Sequence, residues 1–163
     1  MKHLSALLAL FLLSATALEA VEGVTPYHNT DTHMNAAVED AQNTLDLFVR
    51  NTFDSSGSAA PDASVKVGFD VGRHGVEVIW VRNLAKAGAR WTGQLDNDPL
   101  YMDGFAYGDA VRFSREQIFD WAYYMGGKAY GNYTTRVILD DLDAATRAQV
   151  RAMLSDQPIP PGW

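Results

Sequence analysis

From residue 31 onward the chain carries two hydrophobic periods in succession. Met34, Ala37, Val38, Ala41, Leu45, Phe48 and Val49 recur at helical spacing, with Glu39, Asp40, Asn43 and Asp46 on the opposite side. Side chains three or four apart share one stripe of a 3.6-residue repeat, so the pattern predicts an amphipathic helix of about 20 residues. Asp31 or Thr32 is placed to cap it. Residues 54–64 (DSSGSAAPDAS) then end the helix in a loop of turn formers.

Beyond that loop the period changes to two. Residues 65–69 alternate and residues 76–82 (VEVIWVR) are rich in β-branched side chains, which predicts a hairpin joined by DVGRHG. Residues 91–95 read as a third strand, 96–99 as a tight turn, and 100–102 as a continuation of the sheet. Gly108-Asp109 turns the chain into a strand at 110–113. Ser114 and Gln117 have the capping-box spacing, so a single helical turn is expected within 114–121. Strands at 122–125 and 128–130 flank Gly126-Gly127, a pair that tolerates the positive φ angles of a two-residue hairpin. Residues 133–139 read as either strand or helix. Asp143 precedes a closing helix at 144–154, and residues 155–163 form a proline-rich tail. The expected fold is α+β, with one long N-terminal helix packed on a strongly curved antiparallel sheet and a short C-terminal helix.

The N-terminus has a different character. Met1-Lys2-His3 precedes an apolar run at 4–13 and then small residues, the three-part pattern of a signal peptide. The run is shorter than the roughly 20 residues that span a bilayer, so no stable anchor is expected after cleavage. Cleavage falls after Ala17 or, alternatively, after Ala20. Residues 18–30 read as an extended lead-in and 31–154 as one domain. The chain has no cysteine, hence no thiol for lipidation and no disulfide. The expected location is the periplasm or outside the cell. Losing residues 1–17 removes Lys2 and makes the formal net charge of −7 one unit more negative, which disfavours nucleic acid as a partner. A hydrophobic share of 47% argues for a folded core rather than disorder.

In chain order, MNAAVEDAQNTLDLF, SVKVGF, GVEVIWV, WTGQLDNDPLY, YGDAVRFSREQIFDW and GNYTTRVIL resemble the YegJ-like family of bacterial domains of unknown function, DUF2314. The likeness runs from residue 34 to 139. Its most specific pieces are Glu77 and Trp80, residues 97–99, Gly108-Asp109, residues 118–121, and Tyr133-Thr134 with Arg136. Two features depart from it. Asn132 stands where a second glycine is expected before Tyr133, and the acidic stretch after Leu139 is longer. The family carries no established activity, so the resemblance implies no substrate, cofactor or catalytic residue.

Motifs for covalent chemistry are sparse. With no cysteine and no Gly-x-Ser-x-Gly, and with only His28, His33 and His74 beyond the signal peptide, a nucleophile–base–acid triad is not expected. His28, Asp31 and His33 could ligate a metal, but a flexible segment loses entropy on binding, and Asp31 is read as a helix cap. Phosphate-cradling glycine motifs are absent, and no cofactor or metal is expected. Glu77 lies inside an apolar run, on one strand face with Ile79 and Val81, and is expected to find Lys66 or Arg136 as a partner, with Arg136 taken as the hypothesis. Asp120-Trp121 and Tyr133-Thr134 are expected to meet across the sheet, either as a recognition patch or with Asp120 capping a turn and both rings in the core. Asn97, Asp98 and Asp109 are read as turn formers.

Two functions follow. One is a periplasmic protein-binding or inhibitory module directed at another envelope protein, with Asp120, Trp121, Tyr133, Thr134, Arg136, Glu77 and Trp80 as candidate binding residues. It requires the Trp121 and Tyr133 rings at the surface. The alternative is a small envelope hydrolase acting on glycan or peptide through Glu77 and Asp120, two carboxylates held about 5–10 Å apart. It requires both on one face of the sheet, beside a concave pocket.

Overall fold

In the computed structural model, which describes residues 31–163, the N-terminal stripe forms helix α1 (Thr32–Thr52). Asp31 caps it, accepting hydrogen bonds from the N–H groups of His33 at 2.9 Å and Met34 at 3.1 Å. Ala37, Val38, Ala41, Leu45 and Phe48 are buried along one side, the stripe the sequence predicts. The expected signal peptide, the lead-in and His28 lie outside the described residues.

Six strands follow: β1 (Ala63–Asp70), β2 (Val76–Ala87), β3 (Arg90–Leu95), β4 (Ala110–Phe113), β5 (Ile118–Met125) and β6 (Lys128–Gly131). They form one open sheet in the order β4-β3-β2-β1-β5-β6, antiparallel at every pairing. Strand β1 is central. Its Val65 and Val67 stand in register with Val81 and Ile79 and point into the core beneath α1. The register shifts between Lys66 and Val67 against β5, and between Arg82 and Ala85 against β3; such irregularities bend and twist a strand. Gly126 and Gly127 both have positive φ, as the β5–β6 hairpin requires. Helix α2 (Tyr133–Val137), a 3-10 turn at Ile138–Asp141 and helix α3 (Ala144–Met153) complete the order, and α3 packs Val150 against Ala129 of β6.

Several boundaries differ from expectation. The capping box at Ser114 and Gln117 is present, but its turn is a 3-10 segment of three residues, Arg115–Gln117, and β5 begins at Ile118 rather than at 122. Residues 133–139 are helical, α2 and then the 3-10 turn. Asn132, ahead of α2, takes the left-handed conformation at φ 52°, which asparagine tolerates where glycine was expected. Residues 100–102 do not continue the sheet. Pro99 offers no N–H for a ladder, and the N–H groups of Leu100 and Tyr101 are drawn to a side chain instead. The tail is not a free appendage: Trp163 stacks on Trp121 with ring centroids 5.8 Å apart and lies 5.5 Å from Tyr123.

Candidate recognition loop

Glu77 occupies the core face of β2 and is 1% exposed. A carboxylate so enclosed needs donors for both oxygens. It finds them in the backbone of the loop 96–109: Oε1 accepts from the Leu100 N–H and Oε2 from the Tyr101 N–H at 2.8 Å. The expected pairing of Glu77 with Arg136 or Lys66 is therefore not formed. Arg136 donates instead to the carbonyls of Gly131 and Ser155, both at 2.9 Å, and joins α2 to the C-terminal segment.

The loop is fixed at further points, most of them residues the sequence marks as turn formers. Asn97 Oδ1 accepts from the Trp80 N–H at 3.2 Å, Asp98 Oδ1 from the Tyr107 N–H at 2.8 Å, and Asp109 Oδ2 from the Ala106 N–H at 2.8 Å. Arg82 on β2 pairs with Asp96 at 2.9 Å and lays its guanidinium over the Tyr107 ring, 5.0 Å from the centroid. His74, in the turn between β1 and β2, stacks on Tyr101 at 4.3 Å. Held in this way, the loop exposes Leu100 at 60%, Phe105 at 44% and Tyr107 at 49%, the three most exposed large apolar side chains among the described residues. A long loop pinned by so many bonds has lost most of its conformational entropy before any partner arrives, which favours recognition. Beside it, Tyr101, Met102 and Phe105 of the loop, Phe69 and Asp70 of β1 and Val111 of β4 line an open pocket of about 640 Å³.

The second set of predicted residues forms a buried cluster. Lys66 of β1 stands in register with Trp80 on one side and Asp120 of β5 on the other. Asp120 is fully buried; Oδ1 accepts the N–H groups of Trp121 and Tyr133, and Oδ2 accepts both the N–H and the hydroxyl of Thr134. The Thr134 hydroxyl in turn accepts from Lys66 Nζ at 3.0 Å, and that ammonium lies 5.1 Å from the centre of the Trp80 ring. Burial, the largest influence, pushes the Asp120 carboxyl above its ordinary value, while the Lys66 charge and the Thr134 hydrogen bonds pull it down. Both Asp120 oxygens are engaged, so the cluster fastens α2 to β1 and β5 rather than opening to a ligand.

Trp121 is fully buried and Tyr133 nearly so, and neither ring presents a surface patch. Trp121 stacks on Phe48 at 5.2 Å, meets Tyr133 edge-on at 5.8 Å and donates its indole N–H to the Thr44 hydroxyl. Trp80 is also buried. Glu77 is paired in register with Phe69 and Asp120 with Lys66, three residues apart on β1, so the two carboxylates lie on opposite faces of the sheet. The paired carboxylates of a hydrolase are not assembled, and the pocket is lined by neither.

Glu77 is marked in the sequence as a buried carboxylate in need of a partner, but the exposed apolar residues of the loop are not marked. Their signal in LDNDPLYMDGFAYGD is a run of apolar residues among turn formers with neither period, in a connection longer than most.

The long helix, the open six-stranded sheet and the braced loop define an α+β domain. The model of the DUF2314 family, described as uncharacterized protein conserved in bacteria, matches residues 31–154, and the chain belongs to that family. It is similar to the uncharacterized protein YegJ of Escherichia coli (strain K12), with 27% identity over 125 residues that cover 74% of this chain and 76% of the relative. No solved structure matches the chain.

Proposed function

We propose that this domain is a binding module, acting outside the cytoplasm, that docks on another envelope protein through the loop 96–109. The observation that carries the reading is the exposure of Leu100, Phe105 and Tyr107 on a loop whose backbone is pinned by the buried Glu77 carboxylate. Exposed apolar side chains cost solubility, and their concentration on one braced loop is a mark of an interaction surface. Export is supported by the apolar run at 4–13 followed by small residues.

Affinity capture from envelope extract tests both parts. Wild-type protein is compared with a Leu100→Ser, Phe105→Ser variant whose thermal melting is unchanged, as expected for exposed positions, Tyr107 being kept because its ring packs under Arg82. A defined protein retained by wild type and lost with the variant supports the reading. Retention of the same protein by both, or of nothing by either, overturns it.

A further inference from the structure

The two edges of the sheet are treated differently by the chain. At β6 the C-terminal segment covers the edge: Ala129 forms a parallel bridge with Leu154, its carbonyl accepts the Ser155 N–H at 3.0 Å, and the Gly131 N–H donates to the Pro158 carbonyl at 2.7 Å. At β4 nothing comparable occurs. Among the described residues β4 pairs with β3 alone, and its outer side carries no backbone hydrogen bond. An uncovered edge is a template for one more strand, because alternate residues turn their N–H and C=O groups outward. The same β4 residues border the 640 Å³ pocket through Ala110, Val111 and Arg112, opposite Tyr101 and Phe105 of the loop.

Charge selects among the strands that could add there. The loop 96–109 holds four aspartates and no lysine or arginine. Among the described residues only Asp96 of these four is ion-paired, to Arg82. Asp98 and Asp109 accept backbone N–H groups, which are neutral and leave the carboxylate charge uncompensated. Asp70 and Asp103 line the pocket itself, against a single cation there, Arg112, so the pocket's formal charge is negative. Two copies of a chain with net charge −7 would bring two such loops together, so self-pairing is opposed.

We propose that the β4 edge and the adjoining pocket receive an extended peptide segment of a partner protein that alternates basic with apolar residues. Its backbone continues the sheet beyond β4, its apolar side chains meet Tyr101, Phe105 and Val111, and its basic side chains meet Asp70 and Asp103, the two aspartates that line the pocket. The inference rests on the recognition role of the loop and specifies the partner.

Three synthetic octapeptides test it by calorimetry and amide shift mapping on the purified protein: one alternating lysine with valine and threonine, one with glutamate for lysine, and the lysine peptide with alternate amides N-methylated. The lysine peptide is expected to bind and to shift the amides of residues 110–113 and 101–105. The glutamate and N-methylated peptides are expected not to bind, and Asp103→Lys is expected to weaken the lysine peptide by about fivefold. Equal binding of the lysine and glutamate peptides, binding that leaves 110–113 unshifted, or no binding at millimolar concentration each overturns the proposal. If any of these occurs while loop-dependent capture from envelope extract persists, the peptide edge falls and the recognition reading stands.

Discussion

At the scale of residues, Glu77 shows how a buried charge can serve a surface. Its neighbours on the core face of β2, Ile79 and Val81, are apolar, yet both its oxygens are satisfied by backbone N–H groups of a loop more than twenty residues away. Hydrogen bonds to a charged group contribute more than neutral ones, and removing the acceptor leaves two donors to find water. Glu77→Ala is expected to lower stability by about 3 kcal/mol, a cost that includes the lost packing. Beyond that global loss, hydrogen exchange at the Leu100 and Tyr101 amides is expected to rise more than in the core strands, whereas Glu77→Gln, which keeps one acceptor oxygen, falls between. Exchange at the two loop amides rising no more than in the core would remove Glu77 as the loop's anchor. Sequence flagged this residue because a carboxylate inside VEVIWV must have a partner. It could not supply the partner, since any backbone N–H in the chain qualifies and only the fold decides which approaches.

At the scale of elements, local signals proved legible where a short-range hydrogen bond enforces them. Asp31 caps α1 as its position predicts, the Ser114–Gln117 capping box forms, and Asp143 caps α3 by accepting the N–H groups of Ala145 at 3.0 Å and Thr146 at 3.1 Å. The Thr146 hydroxyl and backbone hold the Asp143 carboxyl below its ordinary value of 3.8. For a carboxylate whose folded value is depressed, the stabilisation is fully present above the ordinary value and is lost as pH falls through the lower, folded one. Wild type is therefore expected to lose melting temperature relative to Asp143→Asn, which caps without titrating, as pH falls below the ordinary value of 3.8 and not above it. A constant difference on both sides of that value would exclude the cap as the titrating contribution. Residues 100–102 were illegible by the same logic. Leu100, Tyr101 and Met102 have the composition of a strand, but Glu77 takes the N–H groups that a ladder would need. Likewise, Trp121 and Tyr133 carry no local mark that separates an exposed aromatic from a buried one, and α1 and Trp163 close over them only in the folded chain.

At the scale of the whole molecule, the asymmetry between the two sheet edges depends on the last residues of the chain. Composition reads 155–163 as a proline-rich tail, because proline breaks both periods and nothing local says where such a segment lies. In the fold it does two separate jobs: Pro158 supplies a carbonyl to the Gly131 N–H, and Trp163 stacks on Trp121 and Tyr123. Gly131 itself lies close against β5, since a methyl group there would sit 2.2 Å from the Trp121 carbonyl oxygen at a backbone φ of 70°. The two jobs separate by substitution. Trp163→Ala removes the ring and keeps the edge covered, at an expected cost of about 2 kcal/mol for a half-buried aromatic. Deleting 158–163 removes the ring and also leaves the Gly131 N–H without its carbonyl, so the loss in urea-unfolding free energy is expected to be larger by about 1 kcal/mol. The deletion variant, unlike Trp163→Ala, is further expected to self-associate at high concentration, because its β6 edge becomes partly free for pairing while the net charge is unchanged. Sedimentation of the two variants side by side decides the matter. If both stay monomeric, the tail stabilises through Trp163 alone; if the deletion variant dimerises, covering the β6 edge is what leaves β4 as the only free edge of the sheet among the described residues.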